Sequence, residues 1–316
     1  MHEPTETMEP SAHAPAGIND MPAIGPPPEV RRGITVGPQT GGAACSNCGA
    51  AAAVAPNGAD PASYVYAIGR VEARFPSLGA EKEFAQATGR SVTAGKTDQQ
   101  TFHTVLSKRE NRYLVRQLCW VFTIQGMDTY LLVPRDPADI ELLVDAIRPA
   151  PSPHDVDVVI GVRGPIAPPE MCNGLMVPIV AFDQLYSFDH EALIKSIPKP
   201  EKTSAAQFTP AAYELFSRIM QLTDNAGSTD EHRALNYLAM RYPAIYAKAA
   251  EAFGRSSSLT GVEVRLSPLS STRKIVDVIF AYTDRNTDFT EKVCVRTDVT
   301  EKFPFLVAKM SPYYDR

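Results

Sequence analysis

A chain of 316 residues with 31 Lys and Arg against 36 Asp and Glu, net charge −5, is long enough to bury one large or two modest cores. Its charges are interspersed without a basic stripe, which argues against nucleic acid and anionic membrane as partners. No apolar run approaches the roughly 18 residues of a spanning helix, and the acidic N-terminus has no apolar stretch of a secretory signal.

Residues 1–60 hold nine of the 27 prolines, eight of the 19 glycines and no aromatic residue. Ordering a chain costs roughly 1–2 kcal/mol per residue, and this composition buries too little apolar surface to offset it. A disordered tail is therefore expected, with the folded part over 61–316. Inside the tail, Cys45-Ser46-Asn47-Cys48-Gly49 has the spacing of half a zinc knuckle. No second pair follows, so zinc would need Cys172, another isolated ligand, or the same cysteines from a second copy in a homodimer. The pair otherwise stays unliganded, and redox chemistry lacks the helix start that would lower a thiol pKa. Five cysteines, an odd and sparse set, fit a reducing cytoplasm better than a disulfide framework.

Tyr64 to Val71 reads as a first strand. Ser77 opens a helix that Gly89 ends, and Thr97 or Asp98 caps a second through Val105 and Leu106. Arg109 to Arg112 reads as a solvated helix end. Leu118, Trp120, Phe122 and Ile124 alternate, then Gly126-Met127-Asp128 turns into Thr129 to Val133, a hairpin with a three-residue loop. Cys119 is expected to pack there as a small hydrophobe. Asp136-Pro137 opens a helix carrying Ile140, Leu143, Val144 and Ile147.

Asp155 to Asp189 is the centre of the chain: strand, proline-rich loop, strand. Val156, Val158, Ile160 and Val162 share one face, with Asp155, Asp157 and Arg163 on the other. Gly164, Pro165, Pro168, Pro169, Glu170, Met171, Cys172, Asn173 and Gly174 form the loop. Its prolines make it stiff without a hydrogen-bond ladder, so it is a candidate peptide-binding surface, with Cys172 a candidate nucleophile or zinc ligand. Leu175 to Phe182 reads as a strand covered on both faces.

A short helix follows from His190, then a linker over 198–210 that separates candidate subdomains 61–200 and 208–316. Three amphipathic helices come next, with Ser228 to Glu231 as a capping box for the middle one. After Gly254 the period changes to two: Val262 to Leu266, Val276 to Tyr282 and Val293 to Thr297 predict a three-stranded meander packed on the helices, with Cys294 on its polar face. The fold class is thus α+β, a mixed or antiparallel sheet with packed helices. No nucleotide-binding, metalloprotease or serine-hydrolase motif occurs.

The stretches YVYAIGRVEARFPSLGAEKEFAQATGR, ENRYLVRQLCWVFTIQGMDTYLLVPRDPAD, DVDVVIGVRGPIAPPEMCNGLMVPIVAFDQLYSFD, TDEHRALNYLAMRYPAIYA and KIVDVIFAYT carry a family likeness. From Tyr64 to Arg316 the chain resembles the C-terminal domain of unknown function of the PatG and PatA cyanobactin maturation proteins. There the domain follows a subtilisin-like protease, and the PatG protease macrocyclises a ribosomally made precursor peptide. Nothing here resembles the protease's Asp, His or Ser segments. The resemblance implies a peptide natural-product pathway and does not imply proteolysis by this chain. The favoured expectation is an accessory protein that binds precursor peptide or a partner maturation enzyme, and the alternative is a tailoring enzyme using Cys172 as nucleophile or zinc ligand.

Overall fold

The computed structural model describes residues 63–89, 95–152, 155–197, 204–222 and 224–314. The first part is built on β1 (Tyr64–Arg74), α1 (Leu78–Gly89), α2 (Asp98–Leu106), α3 (Arg112–Gln117), β2 (Cys119–Ile124), β3 (Met127–Pro134), α4 (Ile140–Ala146), β4 (Asp155–Ile166) and β5 (Pro178–Asp189). Its five strands close into a barrel in the order β1-β2-β3-β5-β4. Every neighbouring pair is antiparallel except β3 and β5, whose parallel pairing needs the long crossover through α4 and β4. Closure leaves no long free edge in the sheet. Alternation sends Phe122, Tyr130, Leu132, Val159, Val180 and Phe182 into one cluster, which α1 to α4 extend with Phe84, Val105, Leu114 and Leu143.

Closure depends on a change of partner along β1. Tyr64 to Gly69 pair with β4, whereas Arg70 to Arg74 pair with β2. At the switch the backbones come close: a Cβ on Gly69 would lie 2.2 Å from the Thr123 carbonyl oxygen. Gly161, at the β4–β5 bulge, would meet the Ala181 oxygen at 2.3 Å. Any larger residue would push the strands apart.

Several local expectations change. The β2–β3 turn has two residues, Gln125 and Gly126, with φ of 52° and 78°, as a type I′ hairpin requires. Asp128 therefore belongs to β3, where both its oxygens take the Arg74 guanidinium at 2.6 Å. Thr97 is the cap of α2, and its partner Gln100 completes a capping box. Arg109–Asn111 is one 3-10 turn; Arg109, Glu110 and Arg112 are exposed as expected, whereas Asn111 is buried and donates to the Val105 carbonyl at 2.8 Å.

The second part comprises α5 (His190–Ser196), α6 (Ala205–Met220), α7 (Asp230–Arg241), α8 (Ala244–Gly254), β6 (Ser257–Leu266), β7 (Ile275–Asp284), β8 (Thr290–Asp298) and β9 (Phe305–Tyr313). The meander has four antiparallel strands, not three. Cys294 on β8 is buried. Helix α6 begins within the expected linker, and Thr229, not Ser228, caps α7 by accepting from the His232 amide. Ile68, Val158 and Ile160 from the barrel's outer face share one core with Phe216, Leu238, Tyr246, Val278 and Phe280, so the two candidate subdomains are not separate cores.

A buried polar joint fixes the turn before α7 on β1. The Tyr66 amide donates to the Gly227 carbonyl at 2.8 Å, and Asn236 Nδ2 donates to the Tyr66 carbonyl at 2.8 Å. Asn225 and Asn236 bond each other, and the Tyr130 hydroxyl donates to the Ala226 carbonyl. This turn occupies the side of β1 that β2 leaves unpaired before Arg70.

Candidate functional site

The proline-rich loop is a strap. Gly164, Pro165 and Ile166 belong to β4, which corrects their assignment to the loop. The Ala167 amide donates to the Val177 carbonyl at 2.9 Å and closes the base. Within it Pro169–Met171 makes a single 3-10 turn, and the Gly174 amide donates back to the Pro169 carbonyl at 2.7 Å. Asn173 and Gly174 take φ of 46° and 86°, the left-handed pair their sequence favours.

Cys172 faces inward and forms a disulfide with Cys119 on β2. Around it Val121, Leu131 and Ala167 make a third core, joined by Leu175, Val177 and Ile179. The bond corrects three expectations. Cys119 is more than a small hydrophobe, the chain's thiols are not all free, and Cys172 has no thiol for nucleophilic attack or zinc. Cys45 and Cys48 lie outside the described residues, among which no group of three His, Cys, Asp or Glu side chains could hold a metal. Pro165, Pro168, Pro169, Glu170, Met171 and Asn173 remain at the surface.

Two cavities open instead along β1. The larger, about 440 Å³, lies between the barrel rim at Gly69, Arg70, Thr123 and Gln125 and the α6 residues Tyr213, Phe216, Ser217 and Met220. The smaller, about 240 Å³, lies between Val71 to Ala73, the start of α2 at Asp98 and Gln99, and the residues Ala146, Ile147, Ser152, Asp155 and Asp157. Arg70, Glu72 and Asp155 line both. The strand switch creates this cleft, because beyond the Gly69–Asp157 pair β1 has no β4 neighbour.

Asp157 fills the gap in the ladder. One carboxylate oxygen accepts from the Val71 amide at 2.7 Å, the other from Ser187 Oγ at 2.5 Å. Burial pushes its pKa up to about 6, against the pull of these two donors. Asp155 is anchored by the Ser152 amide at 2.6 Å and by Arg148 at 3.3 Å, and its carbonyl accepts from Arg70 Nε at 3.1 Å. Glu72 pairs with Arg74 at 2.9 Å. The lining mixes carboxylates, one guanidinium, amides and aromatic faces, a set suited to holding a chain of mixed polarity. The sequence placed Asp155 and Asp157 on a polar strand face. Two aspartates at i and i+2 in an otherwise apolar strand were the available signal.

The family model of the PatG domain matches residues 64–265, more than half of the chain. The chain belongs to that family. A solved structure described as a PatG domain of unknown function is similar with a TM-score of 0.64 at 19% identity, over 79% of this chain and 98% of that one. At that identity the likeness shows the fold alone. No curated protein matches. No helix among the described residues is long and apolar enough to cross a membrane.

Proposed function

We propose that this chain is an accessory protein of cyanobactin-like peptide maturation that holds an extended stretch of precursor peptide in the cleft along Gly69 to Ala73. The observation that carries the reading is the pair of cavities flanking β1 past its last β4 pair, an arrangement suited to an extended peptide lying across Gly69 to Ala73. Family membership supports the peptide pathway. Affinity is of micromolar order, because a precursor loses chain entropy on docking.

Calorimetry with a cyanobactin precursor peptide tests the reading. Tyr213 is 39% exposed on the wall of the larger cavity, so Tyr213→Ala should leave the melting temperature within a few degrees. Loss of its ring contact should weaken binding roughly tenfold. Unchanged affinity contradicts the cleft, and a change in the peptide's mass after incubation contradicts the accessory role.

A second reading has its own observation. Ile166, Met171 and Met176 are 61%, 39% and 60% exposed on and beside the strap, an apolar row suited to docking a partner maturation enzyme. There Gly164, Pro165, Pro168, Pro169, Glu170, Asn173 and Gly174 would form the rim.

A further inference from the structure

Resting on the cleft reading, we infer that the bound peptide places a cationic group, its N-terminal ammonium or a Lys or Arg side chain, in the smaller cavity beside Val71 and Asp157. The first observation is the charge balance of the walls. Glu72, Asp98, Asp155 and Asp157 face a single guanidinium, Arg70. Two of these carboxylates are already matched by cations of the protein, Glu72 by Arg74 and Asp155 by Arg148. Asp157 is 3% exposed, and the donors within hydrogen-bond distance of it are neutral: one amide and one hydroxyl. Asp98 is exposed at the first turn of α2 and makes no ion pair among the described residues.

The second observation is the backbone. In an antiparallel strand the N–H and C=O of one residue point to the same side. The Val71 amide points at Asp157, so its carbonyl points the same way, past the last residue that β4 pairs. With Arg70, Arg74 and Arg148 set against these four carboxylates, the cavity keeps one net negative charge beside a main-chain acceptor. Ammonium and guanidinium groups are donors only, and they match such a set. Among the described residues these carboxylates form no group that could hold a metal ion. A volume of about 240 Å³ admits a chain terminus or one long side chain. The mixed lining of the larger cavity, with Phe216 and Met220, would take the residues that follow.

Calorimetry on the full chain with three synthetic probes tests the inference. The probes are Ser-Val-Phe-Lys-Val-Ser amide with a free N-terminus, its N-acetylated form, and the N-acetylated form with Gln in place of Lys. The neutral probe should bind about tenfold more weakly than the best cationic one. Loss on acetylation assigns the cavity to the terminal ammonium, and loss on Lys-to-Gln exchange assigns it to the side chain. Asp98→Asn should narrow the gap between the cationic and neutral probes, and Tyr213→Ala should weaken all three alike. Equal affinity across the set, or no binding by any member at millimolar concentration, overturns the cation's place in the cavity. Neither result touches the cleft itself, which stands or falls on the precursor's own binding.

Discussion

Reducing the Cys119–Cys172 bond should lower the melting temperature by roughly 10 °C. The two cysteines are 53 residues apart, and closing a loop of that length removes enough unfolded-chain entropy to stabilise by about 4 kcal/mol at most. Reduction also frees the strap from β2, although the third core around Val121 and Leu131 still holds it. Thermal unfolding with and without reductant reads the difference. Cys172→Ala should melt near the reduced protein and ignore reductant. Cys294 is buried and outside the bond, so Cys294→Ala should keep the full response. Equal melting of the native chain in both conditions would show that the bond contributes nothing.

Gly227→Ala should cost about 2–5 kcal/mol and compromise folding. Gly227 has φ of +70°, where an added Cβ costs roughly 1–2 kcal/mol. The same Cβ would lie 2.3 Å from the Tyr66 carbonyl oxygen, which cannot retreat without breaking its bond from Asn236. Overpacking of that kind typically adds about 1–3 kcal/mol. Gly254→Ala is the control: it sits at the end of α8 with nothing within 4 Å of the added carbon, and should be neutral or slightly stabilising. Chemical denaturation of both variants gives the comparison. A cost below about 1 kcal/mol at Gly227, roughly the size of an ordinary surface change, would mean the turn is not held as described.

The contrast between these two sites and the cleft shows what a sequence discloses. Helices and strands with strong periodicity, such as Leu118 to Ile124 and Val276 to Tyr282, were legible because their side chains alternate against a core. The strand Phe305–Tyr313 was not, because it is a largely exposed edge strand with Pro312 near its end. Helix α3 is only six residues long and leaves no repeat to read. Barrel closure depends on β1 changing partners at Gly69, a long-range pairing that no local pattern records. The cleft is a consequence of that change, so its walls at Arg70, Asp98, Asp157 and Tyr213 were unlinked residues in the sequence. The strap was visible as a stiff loop. Its role as a packed cover was not, because its inward anchor, Cys172, finds its partner 53 residues away. The family likeness ran from Tyr64 to Arg316 and is matched by the family model over residues 64–265, yet it named no site.

Hydrogen exchange of the full chain, with and without saturating precursor peptide, tests the central claim most directly. The cleft reading predicts slowed exchange at 69–73, 123–126 and 213–221, with the strap at 164–176 unchanged. Slowing confined to the strap, or no slowing anywhere once the peptide is shown to be bound, would contradict it.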